Sequence, residues 1–212
     1  MTEKEKLENG LWYDANNDAQ LLKLREDADE LCFQLNQTSP KDGQKKKTLI
    51  EKLLPMCGEK VTILIPFYTD YGCNCQIGSH TFFNHNAYLM DCAPITIGSY
   101  CFIGPNCGIY TAIHPLYPED RNRGLEKAKP ITIGDNVWIG GDVTILPGVT
   151  IGANTVIGAK SVVTKDIPAG VLAMGNPCRV VRDITEKDCI QEEVRHEKEN
   201  FEKRHTAFLL LS

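Results

Sequence analysis

No stretch of the 212 residues approaches the roughly 18 consecutive apolar residues that a membrane-spanning helix needs. The opening MTEKEKLENG holds no apolar segment of the signal-peptide kind, so a cytosolic protein that does not engage a membrane is expected. Positive charge is not in excess either. The 23 Lys and Arg stand against 28 Asp and Glu, a formal net charge of −5, and a dedicated nucleic-acid binder would carry a basic face instead. The run Lys45, Lys46, Lys47 reads as a solvated patch. There is no C-x-x-C pair of the zinc or redox kind and no G-x-S-x-G elbow to present a nucleophilic serine. Cysteine itself is plentiful, but nine is an odd number, and in a cytosolic chain that argues against a disulfide framework. Cys73 and Cys75 form only C-x-C, so no metal is expected there.

What the chain does have is a repeat. In PITIGDNVWIGGDVTILPGVTIGANTVIGAKSVVT, from Pro130 to Thr164, the residues Ile133, Ile139, Ile145, Ile151, Ile157 and Val163 fall every six positions. Glycine follows four of them, as Gly134, Gly140, Gly152 and Gly158. Two places before each stands a small or β-branched residue: Ile131, Val137, Val143, Val149, Thr155 and Ser161. A period of six matches neither the 3.6 of a helix nor plain strand alternation. It suits a coil of very short strands, each repeat supplying one flat side and two inward residues. The bland alternative, an antiparallel β domain with frequent glycine turns, does not account for six positions in unbroken register.

The phase carries backward. Ile97, Ile103 and Ile109 keep it, and the interruption from Ile109 to Ile133 is a whole multiple of six. Ile65, Tyr71, Ile77, Phe83 and Leu89 are again six apart, but Leu89 to Ile97 is eight, so two residues bulge out near Asp91 to Pro94. Cys75, Cys101 and Cys107 occupy the small inward position and read as core filler, where a free thiol behaves as a small hydrophobe.

Ahead of the coil, Leu21, Leu24, Ala28, Leu31 and Leu35 recur at steps of three and four, an amphipathic helix capped by Asn17 or Asp18 and ended after Asn36. A second helix is expected to start with Ser39 as cap and Pro40 as first residue, to use Leu49, Ile50, Leu53 and Leu54 as its apolar face, and to stop at Pro55. Strand-like Val61 to Phe67 then leads into the coil. Residues 1–58 therefore read as a helical cap leaning on the first coils, 59–184 as the coil, and 185–212 as a C-terminal helix and an apolar tail, AFLLLS, with no assigned place. Within the cap, LWYD at Leu11 to Asp14 fits a buried anchor and a sugar-gripping pair equally well. From His114 to Pro130 the sequence HPLYPEDRNRGLEKAKP has no apolar periodicity, and residues 115–128 read as a projecting loop. A lone histidine is more often structural than catalytic. At the root of such a loop, His114 is the residue singled out for chemistry. Past the coil, Arg179 and Arg182 are spaced to meet one phosphate group, or are a plain surface pair.

The segments TDYGCNCQIG, FFNHNAYLMD, CGIYTAIHPL, DNVWIGGDVTILPGVTIGANTVIGAKSVVTKDIP and GNPCRVVR together resemble the hexapeptide-repeat acyltransferases, within them the maltose and galactoside O-acetyltransferase branch. The likeness covers almost the whole chain and fades after about Ile184. It implies a mainly β fold, a left-handed parallel β-helix, assembled as a homotrimer with active sites between subunits. It also implies transfer of an acetyl group from acetyl-CoA to a sugar hydroxyl. On the matching positions, His114 falls on the general base. Asp14, Asp70, Asn84 and Asp91 fall on or beside positions lining the acceptor site. Gly141, Ala159, Thr164, Arg179 and Arg182 fall on coenzyme A contacts, the Gly141 amide matching an oxyanion donor, and Trp138 is similar to an aromatic lining the same tunnel. Cys92 stands where some galactoside enzymes carry a second acid, and Asp70 where others have serine. DCAP and EDRNRG look closer to the maltose type.

Three rivals remain at this point. A transferase on the same coil could serve an antibiotic, an amino acid or an amino sugar, since fold does not fix acceptor. A zinc lyase would need three histidines around one metal. His80, His85 and His114 are the candidates, but on 18-residue turns, and allowing for the two-residue bulge, His85 and His114 differ by 27 residues, one and a half turns, and do not stack. A non-catalytic scaffold is the third.

Overall fold

In the computed structural model, which describes residues 1–190, strands of two to five residues wind into a coil with three flat faces. The first face holds Met56–Cys57, Cys75–Ile77, Ile95–Ile97, Ile131–Ile133 and Thr150–Ile151. The second holds Thr62–Ile63, Phe82–Phe83, Phe102–Ile103, Trp138–Ile139, Val156–Ile157, Val171–Met174 and finally Arg179–Asp183. The third holds Phe67–Thr69, Ala87–Met90, Gly108–Tyr110, Thr144–Ile145 and Val162–Val163. Like residues stack coil on coil in parallel register: Ile97 on Ile133 on Ile151, Ile103 on Ile139 on Ile157. These side chains are buried, as are the small partners Cys75, Cys101, Cys107, Val137, Val143, Thr155 and Ser161. Burying each isoleucine stabilises the coil by roughly 1.5–3 kcal/mol relative to exposure.

Turning an edge every six residues needs left-handed backbone. Asn86, Asn106, Asp142 and Lys160 form one such column at the edge between the second and third faces, with φ of 64, 59, 58 and 61°. Asn and Asp tolerate this region because a short polar side chain bonds locally. Here Asn86 Nδ2 donates to Asn106 Oδ1 at 3.0 Å, and Asn106 Nδ2 to Asp142 Oδ1 at 3.0 Å.

The early phase differs from the expected one. Cys57, Ile77 and Ile97 are paired neighbours twenty apart, as are Ile63, Phe83 and Ile103, whereas Ile145 and Val163 are eighteen apart. The two-residue insertion therefore occurs twice, at residues 70–74 as well as after Asp91. Ile63 and Thr69 are the inward residues, not Ile65 and Tyr71; Ile65 is half-buried and Tyr71 is buried in a separate cluster. The segment expected as one strand from Val61 to Phe67 is two short strands with an edge between them.

The cap has one helix more than expected. Helix α1 (Glu3–Glu8) opens on a capping box in which Thr2 and Glu5 satisfy each other's backbone amides. Helix α2 (Ala19–Asn36) takes Asp18 as its cap, the carboxylate accepting from the Leu21 amide. Helix α3 (Gly43–Leu53) starts three residues later than expected, because Asp42 and not Ser39 accepts from its free amide, that of Lys45 at 3.1 Å. Ser39 instead closes a turn, its carbonyl accepting from the Asp42 amide at 2.9 Å. Ala28, Cys32, Leu35, Leu49, Leu53 and Leu54 join the same apolar cluster as the first coils, so cap and coil share one core.

The segment expected as a bare loop is structured. Helix α4 (Pro118–Asn122) is followed by a strand, Leu125–Ala128, that runs antiparallel to Ala112–Ile113 on one side and to Tyr13–Asp14 on the other. Residues Met1–Arg182 form one compact unit. From Asp183 a second unit begins, described as far as a three-residue turn of helix, Glu186–Asp188. The rest of the expected C-terminal helix and the AFLLLS tail lie outside the described residues. Among the described residues no helix is long and apolar enough to cross a membrane.

Candidate active site

The three-stranded sheet that carries the excursion is what positions His114. Ala112 pairs with Ala128 and Ile113 with Lys127, while Tyr13 pairs with Glu126 and Asp14 with Leu125. This register sets the Leu125 carbonyl 3.2 Å from His114 Nδ1. A carbonyl can only accept, so Nδ1 carries the hydrogen and Nε2 is the basic nitrogen. Nε2 stands 3.6 Å from Glu126 Oε2; the imidazole is half exposed at 50%, the carboxylate only 9%. Tyr13 is wholly buried and its phenol donates to the other oxygen of Glu126. Burial pushes the Tyr13 phenol far above its ordinary range, so it remains a donor. Of the LWYD pair, Tyr13 is thus the anchor, while Trp12 lies under Lys127, whose Nζ is 4.8 Å from the ring centroid. Asp14 caps the next turn: Oδ1 accepts from the Asn16 and Asn17 amides, both at 3.0 Å, and the Asn17 side chain reaches both oxygens. The Asn17 side chain first, then these amides, hold its carboxyl below the usual range.

Around the two-residue insertions the acids divide by role. Asp91 is fully buried, and its oxygens accept from the Thr69 hydroxyl at 2.8 Å, the Tyr71 amide at 2.8 Å and the Asn74 amide at 3.1 Å. It pins one insertion against the other. Asp91, which the resemblance puts on or beside a position lining the acceptor site, is thus held by donors within the chain. Asp70, one coil earlier, is half-buried; Tyr88 donates to Oδ1 and the Cys92 thiol lies 3.6 Å from Oδ2. Burial raises the Asp70 carboxyl above its ordinary value. Cys92 stands between Asp70 and Glu126: burial first, then those two charges, push its thiol far up. Beside them the Tyr71 hydroxyl is buried without a hydrogen-bond partner.

The remaining expected residues stand elsewhere. Asn84, Gly141 and Ala159 lie on the edge between the second and third faces, where Asn84, Gly104, Gly140 and Gly158 occupy equivalent positions in successive coils through amide bonds to Ile103, Ile139, Ile157 and Ala173. Among the described residues the Gly141 amide has no acceptor within the chain, while its carbonyl accepts from the Lys160 amide. Trp138 is 56% exposed on the outer side of the second face, in register with Phe102 and Val156. Thr164 is exposed on the third-to-first edge, and Arg179 is exposed with Nη1 donating to the Cys178 carbonyl. Arg182 closes the first unit. Within one chain, then, His114, Asp14 and Asp70 stand at one edge of the prism, with Thr164 two coils further along it, and Asn84, Gly141 and Ala159 at another, with the whole third face between them.

Glu126 and Tyr88 carry no signal in the sequence, while Tyr13 enters it only within LWYD and Cys92 only as a departure from the galactoside pattern. Glu126 is one charge among seven in an apparent loop; in Leu-Glu-Lys-Ala the buried positions are Glu126 and Ala128, so the strand shows no apolar alternation in the sequence. His80, stacked on Tyr100 at 4.6 Å, His85 and His114 stand on three different edges. Among the described residues no group of three or more His, Cys, Asp or Glu is placed to hold a metal ion.

Comparison with known proteins agrees with this architecture. Residues 130–165 match the model of the bacterial transferase hexapeptide (six repeats), residues 94–114 the hexapeptide repeat of succinyl-transferase, and residues 6–58 the maltose acetyltransferase hexapeptide capping motif. A provisionally named acetyltransferase of Staphylococcus aureus (strain MRSA252) is 56% identical over 184 residues, covering 87% of this chain and 92% of its own. The crystal structure of a maltose O-acetyltransferase from Clostridium difficile 630 superposes with a TM-score of 0.85 at 45% identity, covering 88% of this chain and 99% of that one. A galactoside acetyltransferase in complex with coenzyme A gives 0.85 at 39% identity, covering 89% and 94%. The coil is thus the left-handed parallel β-helix of these relatives, and the chain belongs to the hexapeptide-repeat acetyltransferases, in their maltose and galactoside O-acetyltransferase branch.

Proposed function

We propose that the protein moves the acetyl group of acetyl-CoA directly to a hydroxyl of a sugar, at sites formed between the copies of a homotrimer. The observation that carries the chemistry is the half-exposed His114, its Nδ1 pinned by the Leu125 carbonyl and its Nε2 left as the basic nitrogen beside Glu126. A sugar hydroxyl is a poor nucleophile near neutrality. As its oxygen attacks the thioester carbon, Nε2 takes the proton, and the imidazolium that forms is stabilised by the Glu126 carboxylate. The new C–O bond leaves a negative oxygen, which the unused Gly141 amide is suited to meet. Collapse breaks the C–S bond, and the Nε2 proton passes to the leaving thiolate. Coenzyme A would lie along the edge of Gly141 and Ala159, against Trp138, with Thr164, Arg179 and Arg182 as further contacts. Asp14, Asp70 and Asn84 are the residues assigned to the acceptor side.

His114 and Gly141 stand on different edges of one prism, so they meet only if an edge of one copy faces a different edge of the next. A closed threefold ring does this three times. The exposed apolar column of Phe102 and Trp138 is the kind of surface a second copy covers.

His114→Ala should lower kcat by about 10²–10⁴ with folding and acetyl-CoA binding retained. Turnover near wild type in that variant would remove the base. Thiol release assayed with glucose, maltose, galactosides and amino acids tests the acceptor: activity confined to the amino acids would sink the sugar reading.

A further inference from the structure

The protonation state of Glu126 decides what its neighbour His114 can do. Glu126 Oε2 is 3.6 Å from His114 Nε2, and the carboxylate is only 9% exposed. An ionised oxygen there can only accept, so it leaves the Nε2 lone pair to the substrate proton and attracts the imidazolium afterwards. A protonated one carries an O–H that can donate to Nε2, and the base is then occupied. A buried carboxylate without donors takes up a proton, because desolvation penalises its charged form. The base is open only while Glu126 has a donor to hold its charge.

Tyr13 is that donor. Its phenol, wholly buried on the neighbouring strand, donates to Glu126 Oε1, the oxygen turned away from the imidazole. Burial keeps the phenol protonated, so it supplies a hydrogen without adding a second negative charge. The other groups that face the pair cannot take its place. The Cys92 thiol has one hydrogen, a weak donor, and lies 3.6 Å from Asp70 Oδ2. From the two insertions, Asp70 and Asp91 are like charges, and the Tyr71 hydroxyl has no hydrogen-bond partner. On β1 the Asp14 carboxylate is taken up by Asn16 and Asn17. The cations are engaged elsewhere: Arg25 of α2 donates to the Ala15 carbonyl, and Lys127 lies over Trp12.

We propose that Tyr13 is a positioning residue for the base: its phenol holds Glu126 as a carboxylate facing His114, and so keeps Nε2 open to the acceptor hydroxyl. This rests on the reading of His114 as the general base of a sugar O-acetyltransferase. The test is the pH profile of kcat/KM, at saturating acetyl-CoA, for the sugar of the acceptor panel that the wild type turns over fastest. Wild type, Tyr13→Phe, Glu126→Gln and the double variant are compared, with Tm and the KM for acetyl-CoA measured alongside. Tyr13→Phe should lower kcat/KM at pH 6.5 at least about fivefold and move the acid limb up by about half a pH unit or more. The loss should shrink to within about twofold by pH 9, where the carboxylate ionises without help. Glu126→Gln, which removes the charge and cannot take a proton, should move the same limb down, since an anion beside an imidazole favours its protonated form. The double variant should follow Glu126→Gln, because Tyr13 acts through the carboxylate. A Tyr13→Phe loss that is equal at every pH overturns the proposal, since a phenol that only packs would give that, and an unchanged profile does the same. So does a double variant whose limb departs from that of Glu126→Gln. A limb in Glu126→Gln that stays or rises also overturns it; that variant keeps a partner for the phenol and decides the matter if Tyr13→Phe does not fold. Failure of the parent reading looks different: the wild type turns over no sugar of the panel, or His114→Ala matches wild type, and the proposal falls with it.

Discussion

At the scale of single residues, the site is set by polar groups whose partners are either complete or missing. Asp91 has three donors and is scaffold; Asp70 has two contacts and a carboxyl raised by burial. A raised pKa means the folded state binds the proton more tightly than the unfolded chain, so the stability tied to it is present at low pH. It is lost as pH rises through the folded value. Asp70→Asn, which keeps the shape without the charge, should therefore gain in Tm over wild type as pH is taken from 4 to 8. A gap in Tm that does not change with pH would show that Asp70 is not destabilised by burial. The Tyr71 hydroxyl is the converse case, a buried donor with no partner. Leaving such a group unmade costs about 1–3 kcal/mol, so Tyr71→Phe should leave Tm unchanged or raise it. A fall of several degrees would mean that the hydroxyl is bonded in solution.

At the scale of elements, the cap and the coil are joined where they touch most closely. Gly72, at the first insertion, has φ of +73°, and a Cβ there would lie 2.1 Å from the carbonyl oxygen at the end of α3. Strain in the left-handed region and that clash add, so Gly72→Ala should destabilise by at least about 2 kcal/mol, a drop in Tm of roughly 5 °C or more in thermal unfolding. An unaltered Tm would show that cap and coil can part at this point without loss. Helix α2 was legible because its apolar spacing and Asp18 cap agree. The start of α3 was misread because Ser39-Pro40 offered a cap signal and Asp42 offered a better one next to the first free amide. The excursion was misread for a different reason. Its strand is held by partners at residues 112–113 and 13–14, and the second pairing, over a hundred residues away in the chain, leaves no local periodicity.

At the scale of the whole molecule, the separation of His114 from Asn84 and Gly141 by the third face makes one chain an incomplete catalyst under the proposed mechanism. His114→Ala and Asn84→Ala should each be inactive alone. After subunit exchange their mixture should regain about a quarter of wild-type turnover, because random assembly places one intact edge against the other that often. A mixture as inactive as its parents would mean that each copy holds a complete site of its own.

The repeat from Pro130 to Thr164, the inward cysteines and the position of His114 at the root of an excursion were all determined by the sequence itself. Each follows from a local rule: a period of six, a small residue two places before each isoleucine, a histidine where the period fails. The tertiary structure alone decided which acids face inward, since Asp70 and Asp91 are alike in sequence and differ only in the donors that folding brings to them. It also decided the partner of His114. Glu126 is twelve residues away in a stretch without pattern, and only the antiparallel pairing with Tyr13 and Ile113 turns its side chain to the imidazole and buries it.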